Sequence, residues 1–185
     1  YIEKHLLHWN GKLHFRFYLF WPLGSLGQIN CGSSIINVLG FFLSKLQVKM
    51  IELFRVVVDF GLVILIWMVQ FIIYPSFIFY QQNDLAKWHS VYTGKITILV
   101  APLMFAQTGL IGYQVLNELS VFIVSSAVIC ATLWLLTFFE AVPLHQKIDE
   151  QVDVKSTCEK LVQINKKRTA LWTILFFISL ADYWY

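Results

Sequence analysis

Long apolar stretches constrain this chain more than any other feature of its sequence. Residues 56–79 read VVVDFGLVILIWMVQFIIYPSFIF, in which Asp59 and Gln70 are the only charged or amide residues. Two similar stretches cover residues 95–116 and 119–144, and a shorter one covers 167–185. A helix needs roughly 20 mainly apolar residues to cross a bilayer, because lipid cannot hydrogen-bond an exposed backbone. We therefore predict an all-α protein whose residues 50–185 form a membrane-spanning antiparallel four-helix bundle.

The overall composition agrees with a membrane protein. Hydrophobic residues make up 58% of the 185 residues and charged residues only 14%, which is more apolar than an ordinary soluble domain. The three cysteines, Cys31, Cys130 and Cys158, have no CxxC spacing, so the sequence indicates neither a disulfide framework nor a zinc site. No phosphate-binding loop, metalloprotease motif or nucleic-acid module is present. The lipid bilayer is therefore the first predicted partner, and nucleic acid is not one.

Residues 1–49 differ from the remainder of the chain. They hold five of the nine glycines and three of the five histidines, and the first methionine is Met50, directly before the first apolar stretch. We predict that they form a weakly organised extension. Two interpretations stay open: translation of the natural protein starts at Met50, or residues 1–49 supply an interfacial or fifth membrane segment. We favour the first.

The distribution of basic residues predicts an orientation. Four antiparallel spans put loops 80–94 and 145–169 on one side, and these loops with their flanks carry eight lysines and arginines. The other side of residues 50–185 carries only Arg55. By the positive-inside rule, the two loops should be cytoplasmic, in the inner membrane of a bacterial cell.

Polar residues near the cytoplasmic ends of the spans are the candidate site. Polar groups inside a membrane are costly, so they are functional candidates by default. The candidates for ligand contact are Gln70, Tyr74, His89, Tyr92, Asn165, Thr169 and Trp172. The candidates for catalysis are Glu140, His145 and Arg168. Each also has a structural interpretation: Arg168 and Trp172 as interfacial anchors, and Gln70 and Tyr74 as hydrogen-bonding contacts between helices.

Three kinds of chemistry fit these residue types. His89 and His145 are potential ligands of a haem iron, and with Glu140 they form a potential His, His, carboxylate metal set. Without a metal, a histidine or Glu140 would act as general base while Arg168, Asn165 and Tyr74 stabilise a developing oxyanion. No specific motif selects haem or a metal, so the cofactor stays open.

Several short motifs suggest a family. YPSF ends the first span, WH precedes the second, PLM lies within it, VPLH follows the third and NKKRTALW leads into the fourth. This order resembles small four-helix bacterial membrane proteins. The VPLHQKI segment is also similar to the VP-containing turn of the anthrone-oxygenase-like membrane family. That family usually has asparagine where this chain has His145, so the resemblance implies the four-helix architecture and not the oxygenase reaction.

Two functions follow from these patterns. The first is a structural or accessory membrane protein with a polar pocket on the cytoplasmic side, which contacts a membrane-protein partner or a second copy of itself. The alternative is a membrane oxidoreductase or oxygenase-like enzyme that acts on an apolar substrate. The pocket of either would be formed by His89, Glu140, His145, Asn165 and Arg168.

Overall fold

The computed structural model of the chain is all-α. It describes residues 31–185, with side chains from residue 37 onward. Helix α1 spans Cys31–Met68 and continues into a π turn, Val69–Ile73, and a 3-10 turn, Pro75–Phe79. Helix α2 spans Gln82–Asn117; α3 spans Val121–Leu135 and continues through a second π turn, Leu136–Ala141, into α4, Val142–Asp149; α5 spans Val154–Trp184. Among the described residues there are thus four long helical segments and no strand, which confirms the predicted fold class. Their antiparallel order stays a prediction.

Three of the four helical segments can cross a membrane. Asn37–Phe79, Gln82–Asn117 and Val121–Asp149 are long and apolar enough by length and composition. Helix α5 does not qualify, because its apolar part is confined between Arg168 and Asp182. The chain is therefore a membrane protein, and the predicted crossing at 167–185 stays a prediction.

The first helix begins earlier than the sequence suggested. Residues 31–49 were predicted to be weakly organised, yet they are the first part of α1. Lys49 ties this part to the end of α5, because its Nζ lies 2.8 Å from Glu52 Oε2 and donates to the carbonyl of Tyr183 at 2.9 Å. The predictions made for residues 1–30 lie outside the described residues.

The two predicted loops are mostly helical. Of the predicted loop 80–94, only Tyr80 and Gln81 are not helical. Of the predicted loop 145–169, only residues 150–153 are not helical. Gln81 is the N-cap of α2, and Asp84 lies in the first turn, where a carboxylate interacts favourably with the helix dipole. The predicted turn after Asn117 is confirmed, and Ser120 caps α3 by accepting the Ile123 N–H at 3.2 Å. The candidate histidines consequently stand on helices rather than on loops.

The core lies between α1 and α5, which pack against each other; α1 also packs against α2, and α5 packs against α3 and α4. One buried apolar group contains Leu62, Ile66, Met104, Leu133, Trp172 and Leu175. A second contains Val69, Tyr74, Phe77, Leu85, Ile148 and Leu161. Many phenylalanines and isoleucines remain exposed on the outer surface. This exposure is expected of a membrane protein, because lipid rather than water surrounds that surface.

A buried polar group, here named the Arg55 cluster, joins the helices far from the candidate site. It consists of Arg55, Asp59, Gln114, Ser126 and Asp182, all buried. Arg55 Nη1 donates to Gln114 Oε1 at 2.9 Å and lies 3.5 Å from Asp182 Oδ2, while Nη2 donates to the Ser126 hydroxyl. Arg55 Nε is 3.7 Å from Asp59 Oδ2, which is the i,i+4 pair that the spacing suggests.

Candidate functional site

A cavity of about 350 Å³ lies between α1, α2, the α3–α4 segment and α5. Its volume falls in the range of small-molecule sites, and its walls are mainly apolar. The apolar residues of the wall include Leu62, Ile66, Val100, Met104 and Trp134. This cavity can hold an apolar molecule inside the span.

One end of the cavity is polar. It is lined by Tyr74 from the end of the first segment, Tyr92 from α2, His145 from α4, and Asn165 and Arg168 from α5. Trp172 lines the adjacent wall. Six of the ten residues singled out from the sequence therefore meet at one cavity, although they come from four helical segments.

Arg168 is the most unusual of these residues. Its side chain is only 7% exposed, its Nε has no hydrogen-bond partner, and no described carboxylate lies within 4.0 Å of it. The guanidinium Cζ stands 5.0 Å from the ring centre of Trp172, which provides a cation–π contact. A buried charge without a counter-charge is costly by several kcal/mol. Arg168 was predicted either as a site residue or as an interfacial anchor, and its burial favours the site.

Asn165 stands one helical turn before Arg168 and is fully buried. Its Nδ2 donates to Gln70 Oε1 at 2.9 Å, and its Oδ1 has no partner among the described residues. Thr169 donates to the Asn165 carbonyl at 2.8 Å. Gln70 and Thr169 do not line the cavity themselves. Each contacts Asn165, which does line it.

A chain of hydrogen bonds leads away from the polar end. We name Tyr74, His145, His89 and Asp149 the histidine chain. Tyr74 Oη is 3.4 Å from His145 Nε2, His145 Nδ1 is 2.9 Å from His89 Nε2, and His89 Nδ1 is 2.7 Å from Asp149 Oδ1. His89 has no solvent exposure, whereas the Asp149 side chain is 37% exposed. The histidine chain therefore connects the cavity to the surface of the protein.

Asp149 is the residue that sequence reasoning missed. It follows His145 by four positions on α4, so the two side chains share one face of that helix and both reach His89. The i,i+4 spacing of a histidine and a carboxylate after VPLH was the available indication.

Glu140 does not join this site. It lies in the second π turn, does not line the cavity, and has no hydrogen bond or ion pair within the described part of the chain. His145, by contrast, lines the cavity and contacts His89, so the two candidate residues do not meet at one site.

The histidines do not form the metal or haem site considered from the sequence. No group of three or more His, Cys, Asp or Glu side chains within residues 31–185 is arranged to hold a metal ion. Two nitrogens on opposite sides of one metal lie about 4 Å apart, twice a bond of about 2 Å. The facing nitrogens of His89 and His145 are 2.9 Å apart and hydrogen-bonded to each other. The two histidines thus fit a hydrogen-bonded pair better than the two axial ligands of one haem iron.

Irregular backbone shapes the cavity. In the first π turn the Tyr74 N–H bonds to the Val69 carbonyl at 3.0 Å, and the extra residue rotates Tyr74 relative to the preceding helix. Trp67, seven positions before Tyr74, is exposed and donates to the Thr173 hydroxyl at 3.1 Å, whereas Tyr74 is buried. Pro102 lacks an N–H, so α2 loses one backbone hydrogen bond beside the cavity.

Three aromatic rings line the cavity between α2 and the α3–α4 segment. Phe105 and Phe138 both line it and are exposed, at 66% and 57%. The Trp134 ring lies between them, with ring centres 5.3 Å from Phe105 and 5.2 Å from Phe138. In a membrane this aromatic surface would face lipid, and these three rings would separate the cavity from the bilayer.

The cavity also touches the polar residues of the opposite half. Trp172 Nε1 donates to Gln107 Oε1 at 3.4 Å, and Gln107 Nε2 donates to Asp59 Oδ1 at 2.6 Å. Gln107 therefore links the cavity wall to the Arg55 cluster.

Comparisons with known proteins found no relative of this chain. No family model matches the chain, and neither a curated protein nor a solved structure does so. The resemblance to the anthrone-oxygenase-like family stays a hypothesis, and function must be argued from the site alone.

Proposed function

We propose that this membrane protein binds a membrane-soluble amphipathic molecule, with the apolar tail in the cavity and an oxygen-bearing head group against Arg168. The observation that carries the proposal is Arg168 itself, a buried and unpaired positive charge at the polar end of an apolar cavity. A negatively polarised oxygen would remove the cost of that charge, because hydrogen bonds to an ionised donor are about twice as strong as neutral ones.

The neighbouring groups support an oxygen head group. Tyr74 and Tyr92 bring hydroxyls to the same end of the cavity, and His145 brings a ring nitrogen. Asn165 holds its side chain in place through Gln70. A few fixed polar groups at one end of an apolar pocket are typical of sites that orient an amphipathic ligand.

The accessory role expected from the sequence is less well supported. A protein partner would contact polar groups on the outer surface, whereas His89, Asn165 and Arg168 are buried.

An enzyme acting on the same ligand is the second candidate function. It is favoured by His145, which lines the cavity beside the groups that would stabilise an oxyanion.

We further propose that the protein lies in the inner membrane of a bacterial cell with the histidine chain on the cytoplasmic side. The support is the charge distribution. Lys147, Lys155, Lys160, Lys166 and Lys167 all lie near that end, as the positive-inside rule requires.

The test is binding of dodecyl nitrophenol to protein in lipid nanodiscs, with empty nanodiscs as background. Loss of a charge-assisted hydrogen bond is worth about 1.5–3 kcal/mol, so Arg168→Gln should weaken binding about 10–100-fold. Arg168→Gln also removes an unpaired buried charge, so its melting temperature should not fall. Competition by dodecanoic acid and by an alkylated hydroquinone would then rank carboxylic against phenolic head groups.

Lys167→Gln is the matched control, because Lys167 is the exposed neighbour of Arg168. It should bind the probe as the native protein does. Equal affinity of the native protein and Arg168→Gln would contradict the proposal.

Asn165→Asp tests the same site from the opposite direction. An aspartate three positions before Arg168 can pair with the guanidinium, so it should compete with the head group and abolish probe binding without lowering the melting temperature. Gln163→Asp places the same charge on an exposed position of α5 and should leave binding unchanged. Undiminished binding by Asn165→Asp would argue against an anionic head group.

A further inference from the structure

We propose that the histidine chain is a proton path between the cavity and water, and that the ligand is a membrane-soluble weak acid that gives up its proton on binding. This inference rests on the proposed function and adds the chemistry of the head group. It is carried by the three consecutive contacts from Tyr74 to Asp149 and by the exposure of Asp149 at their outer end.

The hydrogens of the histidine chain can be assigned from its outer end. An ionised Asp149 accepts only, so His89 carries its hydrogen on Nδ1 and donates it to Asp149. His89 Nε2 then accepts from His145 Nδ1, and His145 Nε2 accepts from the Tyr74 hydroxyl. All three hydrogen bonds thus point outward, from the cavity toward the surface.

This order allows one proton to leave without separating charge on the histidines. The head group passes its proton to Tyr74 oxygen as the Tyr74 hydrogen moves to His145 Nε2. The hydrogen on His145 Nδ1 moves to His89 Nε2, and the one on His89 Nδ1 moves to Asp149. The ligand becomes an anion, both histidines stay neutral in the other tautomer, and Asp149 releases the proton to water.

The surroundings favour this concerted shift. The other ionisable groups near Tyr74 and His145 are Tyr92, Cys158 and Arg168. Arg168 is the only one of these that is positively charged, and its charge disfavours a second cation on either histidine. A path that keeps His89 and His145 neutral avoids that repulsion.

A weak acid also fits entry from the bilayer. Charged molecules cross lipid at high cost, so a ligand that enters from the bilayer should arrive neutral. The charge of Arg168 stabilises the anion once it is bound. The proton must then leave a cavity with apolar walls, and the histidine chain supplies hydrogen-bonding groups as far as the exposed Asp149.

The experiment follows dodecyl nitrophenol in nanodiscs by stopped flow, at a pH below the pKa of the free probe. The phenolate is yellow and the neutral phenol is nearly colourless, and a pH indicator in weak buffer reports the released proton. The native protein should give a yellow bound probe with release of one proton. The methyl ether of the probe, which has no such proton, should release none.

Asp149→Asn is the decisive variant. Asparagine can still accept the hydrogen bond from His89 Nδ1, but it cannot take up a proton. Proton release should become at least about 100-fold slower, the lower end of what a positioned acid–base group contributes, while probe affinity stays unchanged. Glu150→Gln changes the exposed neighbouring carboxylate and should release protons at the native rate.

The outcomes separate this inference from the proposed function. Arg168-dependent binding of a colourless probe, or unchanged proton release in Asp149→Asn, would overturn the proton path alone. Absence of Arg168-dependent binding would overturn the proposed function together with the path.

Discussion

At the scale of single residues, two buried arginines differ in their surroundings. Arg55 is surrounded by Asp59, Asp182 and two neutral acceptors, and so stabilises the packing of four helical segments. Arg168 faces a cavity, and no carboxylate of residues 37–185 lies within 4.0 Å of it. The same side chain therefore has a structural role at one site, and we propose a ligand-binding role for it at the other.

We predict that Arg55→Gln destabilises the protein. The change leaves Asp59 buried without its cation, and breaking a buried ion pair costs about 3–5 kcal/mol. Unfolding in mixed micelles, followed by tryptophan fluorescence, should show this loss. Lys95→Gln, at an exposed position of α2, should have little effect.

The comparison of Arg55→Gln with Arg168→Gln gives a sharper result than either variant alone. Only Arg55→Gln should lower the stability. If both arginine variants lowered it equally, Arg168 would have to be assigned a structural role.

At the scale of helices, interruptions of regular hydrogen bonding shape the site. The π turn before Tyr74 and the one before Val142 each add a residue to a turn, and Pro102 removes a donor from α2. All three lie beside the cavity, since Val69, Ala101 and Ala141 line it. Irregular helix geometry thus provides space that regular helices would fill by close packing.

We predict that Pro102→Ala stabilises α2 and weakens probe binding. Alanine restores an N–H that can bond to the Ile98 carbonyl, with a net gain of about 1 kcal/mol, and a straighter helix should narrow the cavity. Thermal unfolding and dodecyl nitrophenol binding measure the two effects.

Gly109→Ala is the matched variant for Pro102→Ala. A methyl group at Gly109 meets no atom within 4 Å, and alanine is favoured over glycine in a helix by about 0.5–1 kcal/mol. Both variants should unfold at higher temperature, and only Pro102→Ala should lose affinity. An equal loss in both would assign the effect to general rigidity of α2.

At the scale of the whole molecule, the Arg55 cluster and the histidine chain are separated along the first segment by about the thickness of a bilayer core. Arg55 and Tyr74 are 19 positions apart, which is about 28 Å at 1.5 Å per residue. We therefore expect the two polar groups to lie near the two boundaries of the membrane.

We predict that Lys155→Cys and Asn117→Cys are labelled from different sides of the membrane. Both positions are exposed, and they are separated by the crossing of residues 121–149. In a background without the three native cysteines, a maleimide that cannot cross the membrane should label Asn117→Cys on intact cells. It should label Lys155→Cys only after permeabilisation.

The reverse labelling pattern would place the histidine chain outside the cell. Labelling of both positions on intact cells would contradict the crossing of residues 121–149.

The sequence alone determined the helical membrane class, the break between residues 116 and 119, and the residues at the polar end of the cavity. Apolar length and burial cost are local properties, so they can be predicted from composition along the chain. The sequence could not determine the direction of each side chain, because π turns change the rotation between residues as close as Trp67 and Tyr74. Tertiary structure placed Glu140 away from the histidines, joined Asp149 to His89 and left Arg168 without a carboxylate partner among residues 37–185. Those outcomes depend on distances between helices that are far apart in sequence.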